Sequence, residues 1–199
     1  MKKSEAISLA KEKLPDRRYQ HSCRVADTAV QMAEIFGANE KKCFLAGMLH
    51  DYAKYDDLKD MHKIVKKYHM DPEYLQYKSE ILHGPIAAHI MKTEYGVTDA
   101  DILYAMENHT SGRSNMTLVE KIVYVADYIE PKREIPGVKG IRKVVFSEKN
   151  LDKAVFLITK ANLLHLISKD RMIFSRTIEC YNYYNKVKDW YLGFKISFR

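Results

Sequence analysis

Three cysteines in 199 residues, Cys23, Cys43 and Cys180, are an odd number and widely separated. With no Cys-x-x-Cys spacing among them, a disulfide framework and a thiolate zinc site are both excluded, and a reducing cytoplasm is the compartment they fit. No apolar run approaches the ~20 residues needed to cross a bilayer, so a membrane-spanning chain is excluded as well. The opening MKKSEAISLAKEKLPDRR carries two lysines but then mixes charge throughout, without the apolar stretch of a secretory signal. Alternating strand patterns with glycine-containing hairpin turns are missing. So are internal repeats, low-complexity segments and any break in composition that would mark a domain boundary.

What is present is an ordinary globular balance, with 46% hydrophobic and 30% charged residues. The net charge of +7 and pI near 9.1 suit either nucleic acid or a small anion such as a phosphate ester. The lysines are spread along helical segments, the pattern of a solvated face, so charge alone does not choose between the two.

Helical periodicity dominates the chain. Val25, Ala29, Met32 and Ala33 recur at three- and four-residue steps, and Gly37 to Asn39 reads as a stop. Asn39 is placed to cap a following helix that carries Cys43, Phe44, Gly47, Met48 and Asp51 on one stripe. The lysine-rich segment before Pro72 predicts an amphipathic helix. In HGPIAAHIMKTEYG, Pro85 fits the first turn of a helix and Gly96 its end. DADILYAMENH and TLVEKIVYVADYIE predict two more helices, PKREIPGVKG a loop, EKNLDKAVFLITKANLLHLISKD a strong amphipathic helix, and residues 177–191 another. The expected fold is a single all-α domain.

Four histidines and two aspartates stand out by their neighbours. His21 begins a helix, His50 and Asp51 end one, His83 precedes a helix start, and His109 ends another on the stripe of Ile102, Ala105 and Met106. Asp127 sits within the apolar run Ile122 to Ala126. A carboxylate there is expected to be at least partly buried, and isolated burial of charge costs several kcal/mol or more unless it is paired, hydrogen-bonded or metal-bound. Imidazoles and carboxylates are the ligand set for Fe, Mn, Co or Zn. Any one of these residues alone is more simply a core or cap residue; the ordered set is not. His62, His69, His89 and His165 fall on polar faces or lack such context.

The order His21, His50-Asp51, His83, His109, Asp127 resembles the HD-domain metal-dependent phosphohydrolases. More narrowly, GMLHDYAK, LHGPIAAHI, NHTSG and KIVYVADYIEPKR…GVKGIRK look like the YqeK-like branch of bacterial HD proteins, which cleaves diadenosine tetraphosphate symmetrically into two ADP. The motif-bearing stretch runs from about residue 17 to 154, with residues 155–199 expected to pack on it as C-terminal helices and an aromatic tail within one domain of residues 1–199. The resemblance implies one metal held by His21, His50, Asp51 and Asp127 and a second by Asp51, His83 and His109, both iron by preference, with Mn, Co or Zn as alternatives. It also implies attack by a hydroxide shared between the two ions.

Lys54, three residues past Asp51, is a candidate to offset developing charge. Arg18, Thr110, Gly112 and Arg133 are candidates for phosphate contacts, with Arg24 and Arg142 as weaker ones. The same site residues also suit other nucleotides: nucleoside mono- or triphosphates, alarmones or cyclic dinucleotides. A nucleic-acid module would draw on YNYYNKVKDWYLGFKISFR, whose aromatics, however, recur at helical spacing. A single structural zinc is a third reading. The aromatic tail suggests a homodimer.

Overall fold

A computed structural model describes residues 1–193, with side chains through residue 187. The described residues contain ten α-helices, one 3-10 turn and no strand. The all-α expectation holds. The helices are α1 (Lys3–Lys13), α2 (Asp16–Phe36), α3 (Glu40–Leu49), α4 (Leu58–Lys67), α5 (Ser79–Thr93), α6 (Ala100–Asn108), α7 (Leu118–Ile129), α8 (Val138–Phe146), α9 (Leu151–Ile167) and α10 (Ser175–Gly193). The 3-10 turn spans Pro72–Gln76.

Local chemistry explains most of the boundaries. Asn39 accepts a hydrogen bond from the Lys42 amide at 3.0 Å and starts α3. Asp99 does the same for α6 through the amides of Asp101 and Ile102. Thr117 and Glu120 cap α7 reciprocally, each side chain taking the other's backbone N–H. At the other end of α2, Gly37 adopts the left-handed conformation with φ 72°, which costs a glycine nothing.

The core gathers where α2 packs on α3 and α7 crosses α2 and α6, with α5 lying against α6. Along α2 the buried residues Val25, Ala26, Ala29, Met32 and Ala33 form one stripe. Helices α9 and α10 pack on each other, and α9 also lies against α7.

Three expectations are corrected. Helix α5 begins at Ser79, so Pro85 is interior to it and not in its first turn. The helix tolerates the missing N–H because Gly84 and Pro85 are buried against the end of α6, where packing outweighs one lost hydrogen bond. Likewise His21 lies in the second turn of α2, which starts at Asp16. Part of the segment read as loop, from Val138, is α8, whose Val138, Ile141, Val144 and Val145 are buried. The side chains beyond residue 187, and residues 194–199, on which the homodimer expectation rests, lie outside the described residues.

Candidate metal centre

Five helices deliver the six residues to one place. His21 comes from α2, His83 from α5 and Asp127 from the last turn of α7; His50 and His109 are the C-terminal cap residues of α3 and α6, and Asp51 follows His50 directly. His50 and His83 are fully buried and Asp51 is 2% exposed, whereas Asp127 keeps 23% of its side chain open.

The ring nitrogens sort themselves in one direction. His50 Nδ1 donates to the Gly47 carbonyl at 2.7 Å and His109 Nδ1 to Met106 at 2.7 Å. His83 Nδ1 donates to Ser79 at 2.5 Å, and His21 Nδ1 to Glu130 Oε1 at 3.1 Å. Every Nδ1 faces an acceptor, so in the neutral ring each proton sits there and each Nε2 presents a lone pair. The acceptors for His50 and His109 are last-turn helix carbonyls, which lack partners within their own helices.

All four Nε2 atoms converge on two carboxylates. Asp51 Oδ1 lies 3.0 Å from His83 Nε2 and 3.8 Å from His109 Nε2. Its other oxygen, Oδ2, lies 3.2 Å from His50 Nε2 and 3.9 Å from His21 Nε2. Asp127 Oδ1 adds contacts of 2.9 Å to His21 Nε2 and 3.9 Å to His50 Nε2.

The donor set fits metal ions on three observations. The Nε2 atoms of His21 and His50 are buried without a hydrogen-bond partner, a costly arrangement for polar atoms unless a cation takes their lone pairs. His83 Nε2 and His109 Nε2 face each other at 2.9 Å, and two lone pairs that close repel unless positive charge lies between them. Finally, His21, His50 and Asp127, and separately His50, Asp51 and His109, each bring one ligand atom within 4.8 Å of the others.

Electrostatics agree that the cluster attracts positive charge. Burial works against ionisation of Asp51, but contacts with His50 and His83 outweigh it and hold its carboxyl well below the usual carboxylate range. Asp127 is held well below that range too: burial opposes its charge, and His21, His50 and Arg133 overcome the opposition. Burial also opposes charge on His50, yet the neighbouring Asp51 and Asp127 raise its pKa. His109, by contrast, is pushed well below the imidazole range by burial and by the adjacent His83 and His50.

The candidate phosphate contacts divide. Lys54 Nζ lies 3.1 Å from His83 Nε2 and 3.6 Å from Asp51 Oδ1. Thr110 Oγ1 is 3.1 Å from His109 Nε2. Arg18 reaches Asp51 Oδ2 at 2.8 Å and Arg133 reaches Asp127 Oδ1 at 2.7 Å. Two candidates are displaced from the cluster. Gly112, with φ 64°, sits so close to α10 that an added Cβ would meet Cys180 Sγ at 2.6 Å, which makes it a packing residue. Arg142 donates to the carbonyls of Ile129, Glu130 and Arg133, satisfying the end of α7. His62, His69, His89 and His165 take no part in the cluster.

Sequence reasoning missed Glu130. It is 2% exposed, orients His21, and is gripped by Arg24 Nε at 2.6 Å. Burial raises its pKa, but Arg24, the Lys132 amide and His21 together lower it to about 2. Arg24 is thereby committed to Glu130. The available signal was its position three residues after Asp127, close to the same face of α7. Each carboxylate of the site thus has its own arginine: Arg18 on Asp51, Arg133 on Asp127, Arg24 on Glu130. Beside the cluster lies a cavity of about 640 Å³ whose lining includes Arg17, Arg18, Arg24, Lys132 and Arg133, with His21, Glu130, Gln20 and Tyr55 among them.

Residues 18–132 match the HD domain family. The symmetrical bis(5'-nucleosyl)-tetraphosphatase of Staphylococcus aureus is 50% identical, covering 93% of this chain and 97% of its own. The protein of the same name from Bacillus subtilis is 40% identical, covering 92% and 97%. A crystal structure described as a predicted HD superfamily hydrolase involved in NAD metabolism, from Clostridium acetobutylicum, superposes with a TM-score of 0.87 at 34% identity, covering 94% of this chain and 98% of that one. With the fold, the matched span and near full-length relatives in accord, this chain belongs to the HD-domain family of metal-dependent hydrolases, in the branch that includes the symmetrical tetraphosphatases.

Proposed function

We propose that this protein hydrolyses diadenosine tetraphosphate between its two central phosphorus atoms, taking up one water and releasing two ADP. The observation that carries the reading is the single orientation of the four imidazoles: every Nδ1 is occupied by an acceptor and every Nε2 is aimed at Asp51 or Asp127. The names of the near full-length relatives support the substrate, and a cavity bordered by Arg17, Arg18, Lys132 and Arg133, besides the Arg24–Glu130 pair, suits a chain of four phosphates.

Two ions are proposed, iron by preference, because the donors are imidazole and carboxylate with no thiolate. His21, His50, Asp51 and Asp127 would hold one, and Asp51, His83 and His109 the other, with the two Asp51 oxygens facing the two sets. When bound, such ions lower the pKa of water and stabilise charge on phosphoryl oxygens. The remaining chemistry belongs to the chain itself. With Asp51 and Asp127 serving cations, Arg18 and Arg133, which lie on those carboxylates, would be available to bind phosphate oxygens bidentately. Thr110 offers a hydroxyl at the edge of the cluster, and Lys54 places an ammonium where charge develops on the phosphate. Residues 1–199 are taken as one functional unit. The cytoplasm is its proposed compartment, where Cys23, Cys43 and Cys180 stay as free thiols.

The test is to identify products. Purified, metal-loaded protein is expected to convert diadenosine tetraphosphate to ADP alone. Release of AMP with ATP would mean asymmetric attack, and no cleavage would refute the substrate. Lys54→Ala is expected to keep its metal and lose about a hundredfold in kcat, the scale set by losing one preorganised charge-stabilising group. Metal analysis beside steady-state kinetics checks it; an unchanged kcat removes Lys54 from the mechanism.

A further inference from the structure

Helix α7 ends at Ile129, and the four residues that follow, Glu130 to Arg133, form a tight turn closed by the Arg133 N–H donating to the Glu130 carbonyl at 2.9 Å. Pro131 occupies its second position, where a fixed φ suits such a turn. Lys132 and Arg133, on this turn, border the large cationic cavity. One side chain from α8 grips the turn at both ends. Arg142 Nη2 donates to the Glu130 carbonyl at 2.7 Å and to the Arg133 carbonyl at 3.1 Å, while its Nε donates to Ile129 at 2.9 Å.

The grip starts from a fixed frame. Val138, Ile141, Val144 and Val145 of α8 are buried, so Arg142 projects from a seated helix. Packing does not do the same for the turn. A shallow cavity of about 310 Å³ borders it, lined by Thr28, Gln31, Ile129, Pro131, Arg142 and Phe146, which leaves Pro131 open on that side. The position of the turn is therefore set by polar contacts. Glu130, at its first corner, is also held through its side chain by Arg24. Arg133, at its last corner, depends on the Glu130 carbonyl for its amide and on Arg142 for its carbonyl. From that corner Arg133 reaches back to Asp127, with Nε on the carbonyl at 3.0 Å and Nη2 on Oδ1 at 2.7 Å. A planar guanidinium can span three carbonyls at once, which a lysine ammonium on a flexible stem cannot match.

We propose that Arg142 is a positioning residue for phosphate binding: by tying both ends of the Glu130–Arg133 turn to α8, it fixes where Arg133 presents its guanidinium. This rests on the phosphate role given to Arg133 above and goes beyond it, because Arg142 itself lines neither the metal cluster nor the cationic cavity. Its whole contribution to phosphate affinity passes through Arg133, so the two residues act as one unit and their substitutions are not additive.

The test is a double-mutant cycle on the affinity of the metal-loaded protein for inorganic tripolyphosphate, read by calorimetry, with bound metal measured for each variant. Arg142→Ala is expected to keep its metal and to bind tripolyphosphate about tenfold more weakly, the scale of one hydrogen bond to a charged group. In an Arg133→Ala background the same substitution is expected to cost no more than about twofold, a result that general loosening of the fold does not produce. The full tenfold loss in both backgrounds overturns the proposal, as does wild-type affinity in Arg142→Ala. Should the alanine protein fail to fold, Arg142→Lys runs the same cycle, with an expected loss of about threefold that disappears without Arg133; wild-type affinity there overturns the proposal instead. A wild type that does not bind tripolyphosphate, or an Arg133→Ala protein that binds it as tightly as the wild type, removes the phosphate role of Arg133 and this proposal with it. The tetraphosphatase reading fails separately: a wild type that binds tripolyphosphate but leaves diadenosine tetraphosphate intact refutes that substrate, and the cycle still decides the role of Arg142.

Discussion

Asp51→Ala and Asp51→Asn are each expected to lower hydrolysis of diadenosine tetraphosphate by at least about a thousandfold, equivalent to about 4 kcal/mol of lost transition-state stabilisation. Bound metal is expected to fall with activity. The argument is geometric. Asp51 alone among the six residues meets all four imidazoles, His83 and His109 through Oδ1 and His50 and His21 through Oδ2. Removing His21 strips one proposed ligand from one ion; removing Asp51 strips one from both, together with the negative charge that offsets the two cations. The asparagine variant keeps the volume of a residue that is 2% exposed, so it separates loss of ligation from loss of packing. Elemental analysis of each purified variant, beside product formation, checks the prediction. An Asp51→Asn protein that retains both ions and normal turnover would refute the assignment.

How much of this was legible in the chain depends on the range over which each signal acts. His50 and His109 could be read as helix-terminal because the apolar stripes of α3 and α6 stop at them, a local pattern. What could not be read is why that position matters: the helix carbonyls of Gly47 and Met106 fix the ring proton and turn Nε2 inward. Capping by Asn39 was visible for the same local reason. Glu130 was not, since a glutamate before a proline reads as a solvated helix end. Its burial depends on Arg24, 106 residues away in sequence, coming to meet it. Gly112 illustrates the opposite error. The turn Thr110–Gly112 invited a phosphate-binding reading, but the glycine is required by Cys180 on α10, a neighbour supplied only by tertiary packing. Helix α8 escaped because Pro136 and Gly137 were allowed to extend a loop over a short amphipathic segment. The chemistry of the centre was therefore legible as an ordered set of residue types, whereas its support was not, because the supporting contacts join segments whose separation no local period records.

Gly84→Ala is expected to damage the centre without touching a proposed ligand. A Cβ at Gly84 would lie 2.8 Å from both the Glu107 and Met106 carbonyl oxygens and 3.2 Å from His109 Nδ1. These first two neighbours are backbone at the end of α6, so no flexible side chain can swing aside; α5 and α6 must separate by roughly half an ångström to reach ordinary contact. The Met106 carbonyl is the acceptor that orients His109, and His83 is the residue before Gly84. One methyl group therefore shifts both imidazoles proposed for the second ion. Overpacking of this kind costs about 1–3 kcal/mol, and a chain of this length loses about 2–4 °C in Tm for each. Misplacement of a reacting geometry by less than a residue's width costs on the order of a hundredfold in rate. Expected results are thus a Tm lower by about 5 °C, bound metal reduced by as much as one equivalent, and kcat down about a hundredfold. Gly140→Ala is the matched control: it lies in α8 with nothing within 4 Å of an added Cβ, and alanine there should leave metal and activity intact and stabilise the helix slightly. If Gly84→Ala matches that control in Tm, metal content and kcat, then the approach of α5 to α6 does not set the position of His83 and His109, and the link from helix packing to ligand geometry is wrong.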